Sequence, residues 1–200
     1  NLHNMRYSAI NANMQDIKII RDSIMVKINY FNLKEHSGFA LNNLSGNFTV
    51  SHKGIKAQDA NLRTGNTNLN FDARLKTNSW HTYSSFVDSV YCVVNFKKGC
   101  YAVSSDASAW SKAVDGMSQK VYFNAQAYGR INNLQVEKCE VKTEGTLAKV
   151  SGHIIGLPHI KNTWFDVAIG QIKTSASEIK SLKFGSIMAK IKIPDILTRL

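Results

Sequence analysis

The chain has 200 residues, of which 44% are hydrophobic and 20% are charged, and this balance excludes a disordered tail. Its formal net charge of +11 predicts attraction to anions such as nucleic acid, lipid head groups or acidic polysaccharide. Basic residues are spread along the chain in runs no longer than Lys97-Lys98, which disfavours a nucleic-acid partner. We expect one unit over residues 1–200 without an internal linker, cut from a longer protein.

Alternation of apolar and polar residues with a period of two dominates the chain and predicts β-strands with one dry face. The clearest case is 66–75, where odd positions from Leu69 are apolar and even positions from Asn68 are polar. In chain order, the pattern predicts strands at 47–50, 66–75, 121–127, 134–136, 148–150 and 165–169. Turn chemistry predicts tight antiparallel connections at Lys53-Gly54, Gly65-Asn66, Lys98-Gly99 and Glu144-Gly145.

Helical signals are few and short. For the segment 81–90 the sequence allows two interpretations, a turn of helix or a strand. A helix is predicted over 105–117, because apolar residues recur there at helical spacing after the capping residue Ser105. Shorter helices are predicted from about residue 175 and from Pro194, since proline suits a first helical position.

The three cysteines, Cys92, Cys100 and Cys139, show no paired spacing of the kind that holds a metal. A hairpin around Lys98-Gly99 would bring Cys92 and Cys100 together, and an oxidising compartment would then permit a disulfide. The alternative is that all three are small buried hydrophobic residues.

Short internal repeats predict sheet units that recur along an elongated body. An apolar residue, a basic residue and a threonine follow one another at 62–64, 141–143 and 172–174. The segment Leu41-Asn42-Asn43-Leu44 returns as Ile131-Asn132-Asn133-Leu134.

A search for catalytic chemistry finds no glycine-rich phosphate loop, no nucleophile elbow and no metalloprotease motif. His153 and His159 offer at most two metal ligands, and two ordinary loop histidines are the simpler interpretation. Glu137, Glu140 and Glu144 alternate with lysines in the manner of a solvated strand. The sequence therefore predicts no enzyme activity, no cofactor and no metal site.

Four segments resemble, in the same order, those of the TamB family (translocation and assembly module) within the AsmA-like superfamily, as found in Bacteroidota. Residues 31–41 are similar to its "L-x-x-K-E-x-S-G-F-x-L" stretch, and residues 61–64 with Leu69 to its "L-x-T" before a strand. Residues 104–110 resemble its "S-x-x-D-L-x-x-F" helix, and 155–166 its "I-x-G-L-P-D-I-x-x-T-x-x-D" segment. Ala107 and His159 depart from these patterns.

The resemblance implies a segment of a long periplasmic protein that is anchored in the inner membrane outside this fragment. Its implied fold is an elongated, lengthwise-curved antiparallel sheet, a β-groove or β-taco, with a few short α-helices. Its implied role is to conduct or hold phospholipid acyl chains between the two membranes, or to assist outer-membrane protein assembly with a partner barrel protein. The expected groove-lining residues are Phe48, Val50, Leu69, Phe71, Ala73, Leu75, Val121, Phe123, Ala125, Val150, Val167 and Ile169.

Two alternatives to this groove remain open. The same alternation builds the closed core of a sandwich or barrel. The 19 asparagines and repeated polar turns are also typical of a parallel β-helix or adhesin-like module that binds polysaccharide on an outer face.

Overall fold

The computed structural model describes residues 7–35, 40–103, 120–157 and 162–175. Strands make up 76% of it and form one antiparallel sheet, which confirms the predicted mainly β class. The strands are β1 (Tyr7–Ile20), β2 (Ser23–Glu35), β3 (Ala40–Leu41), β4 (Asn43–Ser51), β5 (Gly54–Arg63), β6 (Asn68–Lys76), β7 (Tyr91–Val103), β8 (Lys120–Arg130), β9 (Asn133–Lys142), β10 (Leu147–Ile155) and β11 (Trp164–Lys173).

The sheet is an open meander in which each strand pairs with its sequence neighbours in the order β1-β2-β4-β5-β6-β7-β8-β9-β10-β11. The two-residue strand β3 lies off this path and pairs with β2. Because β1 and β11 are at opposite edges, the described strands do not close into a barrel. All their pairings are antiparallel, which contradicts a parallel β-helix.

Three of the four predicted turns are confirmed, at Lys53-Gly54, Gly65-Asn66 and Glu144-Gly145. The fourth, Lys98-Gly99, is wrong, because β7 continues through it. Gly99 has φ of 89°, a conformation that glycine adopts readily. It lies in a bulge of the continuous strand, and the chain does not reverse there. Cys92 and Cys100 therefore lie eight residues apart in one extended strand, which is too far for a disulfide, and all three cysteines are free.

The threonine repeat corresponds to a repeated turn. Thr64 N–H bonds to the carbonyl of Thr67 at 3.0 Å, and Thr143 N–H bonds to that of Thr146 at 2.9 Å. In each turn the first threonine hydroxyl accepts a bond from the N–H of the second. The three triplets end β5, β9 and β11, which run in the same direction, so they recur at one end of the sheet, here called the Thr-turn end.

The opposite end of the sheet, here called the helix end, carries the 3₁₀ turn Trp80–Ser85 and the α-helix α1 (Phe86–Ser89). The segment 81–90 is thus helical up to Val90, which is fully buried. Asn132 in the β8–β9 turn donates a 2.7 Å hydrogen bond to Asp88 of α1, and this bond ties the helix to the sheet. The helices predicted over 105–117 and beyond 175 lie outside the described residues.

A line of β-bulges crosses the middle of the sheet. The strands that run towards the Thr-turn end carry one or two extra residues opposite their partners, whereas β4, β6, β8 and β10 are regular there. Bulges bend a strand and increase its twist, so bulges aligned in alternate strands bend the sheet along one line. The bulges lie at Asn29 in β2, Gln58-Asp59 in β5, Lys97 to Gly99 in β7, Glu137-Lys138 in β9 and Gly170 in β11.

Candidate functional site

The pairing register sorts the side chains onto two faces of opposite character, because residues directly opposite one another share a face. One face, here called the apolar face, continues without interruption from β1 to β11. Its members in chain order include Ile10, Ala12, Met14, Ile19, Ile24, Val26, Ile28, Phe31, Leu33, Leu44, Phe48, Val50, Ile55, Ala57, Ala60, Leu62, Leu69, Phe71, Ala73, Leu75, Cys92, Val94, Phe96, Cys100, Val121, Phe123, Ala125, Ala127, Leu134, Val136, Cys139, Val141, Ala148, Val150, Ile154, Phe165, Val167, Ile169 and Ile172.

All twelve residues expected from the sequence to line a groove lie on the apolar face. The register connects them through successive pairs, such as Phe48 with Ala57, Ala57 with Ala73, and Phe123 with Val141. The predicted set contains no residue of β1, β2, β5, β7 or β9, although 134–136 was predicted as a strand; in β5 and β7 the bulges shift the alternation. Ala57 and Ala60 share this face although three positions separate them.

Three phenylalanines form the aromatic centre of the apolar face, one on each of β6, β7 and β8. The ring centroids of Phe71 and Phe96 are 6.1 Å apart with a 52° tilt. Those of Phe96 and Phe123 are 5.5 Å apart in an edge-to-face arrangement. These distances are favourable for aromatic pairs, so the rings stabilise the bent part of the sheet while they present apolar surface.

The apolar face has no covering layer among the described residues. Only four hydrophobic side chains of this face are buried, Ala57, Ala60, Cys92 and Cys100, and all but Cys92 flank the line of bulges. These three small side chains each lie opposite a phenylalanine of the same face, Phe48, Phe71 and Phe123, so larger neighbours shield them without a second layer. Towards the edges exposure rises, to 74% at Ile19 and 62% at Ile169.

The opposite face, here called the polar face, is lined by asparagines and basic residues. Cross-strand amide bonds connect its strands, as where Asn61 Nδ2 donates to Asn70 Oδ1 at 2.7 Å. Asn11 with Asn32 and Asn29 with Asn13 form further bonds of 3.1 and 3.0 Å. Among the residues of this face that have a partner directly opposite in the register, basic ones outnumber acidic ones. The basic ones are Lys18, Lys27, Lys34, Lys56, Arg63, Arg74, Lys76, Lys120, Arg130, Lys138, Lys142, Lys149 and Lys173, and the acidic ones are Asp72, Glu140 and Asp166.

Basic and aromatic side chains gather on the polar face at the Thr-turn end. Tyr101 pairs with Tyr122, and their ring centroids are 5.8 Å apart. The Lys120 ammonium lies 3.7 Å from the Tyr101 ring centroid and 5.2 Å from that of Tyr122. Lys142 is the next neighbour in the register. Together these four side chains offer positive charge and aromatic surface beside the rim of the apolar face.

An ion-pair cluster on the polar face connects β5, β6 and β7. Lys97 Nζ lies 2.7 Å from Asp59 Oδ1 and 3.0 Å from Asp72 Oδ2. The backbone N–H of Asp59 and the Lys97 ammonium lower the pKa of Asp72, and the two carboxylates raise the pKa of Lys97. In the folded chain the charged form of each residue is therefore favoured.

Metal sites are not found in the part of the chain that the structure describes. It contains no cluster of three or more metal-ligating side chains, and His153 bonds to Asn133. The other histidine of the weak candidate pair, His159, lies outside the described residues. Two open depressions, of about 150 and 370 Å³, lie near Cys100 and Cys139. No described helix is long and apolar enough to cross a membrane.

Comparison with known proteins identifies no relative: no family model, no curated protein and no solved structure matches the chain.

Proposed function

We propose that this chain is a segment of a TamB-like envelope protein whose apolar face holds or conducts the acyl chains of phospholipids. The observation that carries the proposal is the continuous apolar face, which spans ten paired strands and has no covering layer among the described residues. Nine strand spacings of about 4.8 Å give it a width of about 43 Å. An extended acyl chain fits within that width.

The apolar face should gain more binding free energy from acyl chains than from head groups. Burial contributes about 0.8 kcal/mol per methylene, so eight buried methylenes contribute about 6 kcal/mol. An exposed ion pair contributes about 0–1 kcal/mol. The aromatic centre formed by Phe71, Phe96 and Phe123 would contact the chain, and the head group would stay in water at the rim. There Lys120 and Lys142 would attract an anionic phosphate weakly.

Periplasmic location, with the parent protein anchored in the inner membrane, forms part of this proposal and rests on the sequence resemblance. The same apolar face would also suit transient contact with a lipid-facing strand of an unfolded outer-membrane protein. Acyl chains are the favoured ligand, because the described residues leave this face uncovered along its width.

Extraction of lipid from the purified chain tests the proposal directly. We expect phospholipid to co-purify and native mass spectrometry to show the bound species. Cys139 offers an internal reporter, because it lies on the apolar face, is only half-buried and is free. Bound phospholipid should therefore slow maleimide labelling of Cys139.

A matched reporter on the polar face provides the control. Lys138 is exposed and pairs with Gln126 on the polar face, next to Cys139 in sequence. In a Cys139→Ala background, Lys138→Cys should label at the same rate with and without phospholipid. Absence of co-purifying lipid together with unchanged labelling of Cys139 would contradict the proposal. Polysaccharide binding in place of lipid would favour the adhesin-like alternative.

A further inference from the structure

Two open depressions on the polar face follow the line of bulges. The smaller one, of about 150 Å³, lies beside the bulge of β7, and the larger one, of about 370 Å³, lies beside the bulges of β9 and β11. Asn124 and Glu140, which pair across β8 and β9, line both depressions. The two depressions therefore adjoin and form one trough between β7 and β11, here called the bulge trough.

The bulge trough runs across the strands and not along them. It extends from Lys98 in β7 to Gly170 in β11, so four strand spacings of about 4.8 Å give it a length of about 19 Å. The larger depression alone falls within the range of about 300–1,000 Å³ that is typical of ligand pockets. This shape suits an extended chain better than a compact molecule.

Lysines dominate the charge of the bulge trough. Four exposed lysines line it and form no ion pair with a described residue: Lys98, Lys138, Lys142 and Lys149. The acidic lining residues are Glu137 and Glu140, and Glu140 lies opposite Lys149 in the register. The excess of positive charge favours a ligand that carries anionic groups at intervals along its length.

The uncharged polar groups of the bulge trough match the hydroxyls of a sugar. The Asn124 amide, the Ser151 hydroxyl and the Tyr122 phenol together donate and accept hydrogen bonds, as sugar hydroxyls do. The Tyr122 side chain is 44% exposed, so its ring can also contact the C–H groups of a sugar. The lining therefore fits a saccharide that carries negative charge.

Other anionic polymers fit the bulge trough less well. The backbones of β8, β9 and β10 are paired on both sides, so an acidic peptide cannot add there as a further strand. A single-stranded nucleic acid needs a row of aromatic side chains on which its bases stack. Among the described residues that line the trough, Tyr122 is the only aromatic one on the polar face.

We propose that the bulge trough binds a linear acidic polysaccharide. Its anionic groups contact the four lysines, and its hydroxyls contact Asn124, Ser151 and Tyr122. This site goes beyond the proposed function, because it lies on the face opposite to the acyl chains. The two ligands can bind at the same time, and neither site depends on the other.

Titration calorimetry of the lipid-free protein with short alginate oligomers, which are linear chains of uronic acids, tests the proposal. We expect alginate to bind, and dextran, a neutral polysaccharide, to bind at least about tenfold more weakly. Ser151→Trp fills part of the larger depression and should remove most of the alginate binding. Added phospholipid should not displace alginate.

Two lysine variants distinguish the bulge trough from the charge of the whole polar face. Lys138→Gln and Lys142→Gln each remove one charge from the trough and should weaken alginate binding about twofold to fivefold. Arg74→Gln is the matched control, because it removes the same charge from an exposed residue of the polar face outside the trough. It should leave binding unchanged, and circular dichroism should show that all variants fold.

Four results would overturn the proposal. Absence of alginate binding by the wild-type protein would mean that the trough has no such ligand. Equal weakening by Arg74→Gln, or unchanged binding by Ser151→Trp, would mean that the basic face attracts anions without using the trough. Dextran or single-stranded DNA that binds as tightly as alginate would mean that the trough does not select an acidic polysaccharide. Displacement of alginate by phospholipid would place alginate on the apolar face.

Discussion

The backbone N–H of Asp59 donates a 2.7 Å hydrogen bond to Oδ1 of Asp72 on the neighbouring strand. Asp59 has φ of 48°, in the left-handed region, because it is an extra residue in the bulge of β5. Lys97, in the bulge of β7, contacts both carboxylates. These three residues therefore join two neighbouring bulges across β6 and stabilise the bend of the sheet.

The pKa shift of Asp72 predicts a loss of stability in acid. Its pKa is lowered in the folded chain, chiefly by the backbone N–H of Asp59. The stabilisation is complete above the unfolded pKa of about 3.9 and is lost as the pH falls through the lower folded pKa. Because Asp72 and Lys97 are 41% and 36% exposed, the effect on the free energy of unfolding should be below about 1 kcal/mol.

Urea unfolding at a series of pH values measures this effect. Asp72→Asn should flatten the pH dependence below about pH 4. Glu137→Gln, which removes an exposed carboxylate from the bulge of β9, is the control and should keep the wild-type slope. Identical slopes for the two variants would mean that the Asp59–Asp72 bond contributes nothing to acid stability.

A charge on the apolar face should weaken the fold and lipid association. Phe71→Asp places a carboxylate beside Phe96, where it must be desolvated or protonated, and should lower the free energy of unfolding by about 1–3 kcal/mol. Asn70→Asp, on the polar face, keeps the oxygen that accepts the bond from Asn61 and should change little. A thermal melt and a lipid-crosslinking assay compare the two. Equal behaviour would show that the two faces are wrongly assigned.

Backbone strain predicts a further difference between two glycines. Gly46 has φ of 138°, and an added Cβ would lie 2.8 Å from Cα of Ala60. Gly46→Ala should therefore cost about 1–3 kcal/mol of unfolding free energy, measured in urea. Gly65, in the β5–β6 turn, has no atom within 4 Å of such a Cβ, so Gly65→Ala is the control. The prediction fails if both variants unfold at the same urea concentration.

Cysteine reactivity should follow burial. Cys92 and Cys100 are 3% and 0% exposed, whereas Cys139 is only half-buried. Burial raises the pKa of the Cys92 and Cys139 thiols, so modification should be slow at neutral pH. We expect maleimide to modify Cys139 first and the other two only on unfolding. Peptide mapping by mass spectrometry checks the order, and equal rates in the native protein would contradict it.

A high salt concentration should distinguish lipid binding from nucleic-acid binding, because it should release only the nucleic acid. Burial of acyl chains is not screened, so phospholipid should remain bound after a wash at about 0.5 M salt, where the Debye length is about 4 Å. A protein that neutralises 6–10 phosphates loses about 10³ to 10⁵ in affinity between 50 and 200 mM salt. Any retained DNA should therefore be released. Release of the lipid together with the DNA would show that surface charge is the binding element.

The candidate site could be predicted where a strand segment alternates regularly. β4, β6 and β8 alternate strictly from Leu44 to Val50, from Leu69 to Leu75 and from Val121 to Ala127. Alternation of this kind predicts that the apolar residues of a strand share one face. In β5, β7 and β9 the bulges change the spacing of apolar residues to three or four, as between Phe96 and Cys100. A pattern of period two cannot assign such strands to a face.

The sequence by itself determined the mainly β class, the antiparallel hairpins at three of four predicted turns and one dry face per regular strand. These are local properties, because side-chain alternation and turn chemistry depend on residues close together in the chain. Only the tertiary structure decided that β7 continues through Gly99, that the bulges align across the sheet and that the apolar residues form one face, which the described residues leave uncovered. Those properties depend on register between strands, which hydrogen bonds between distant residues determine.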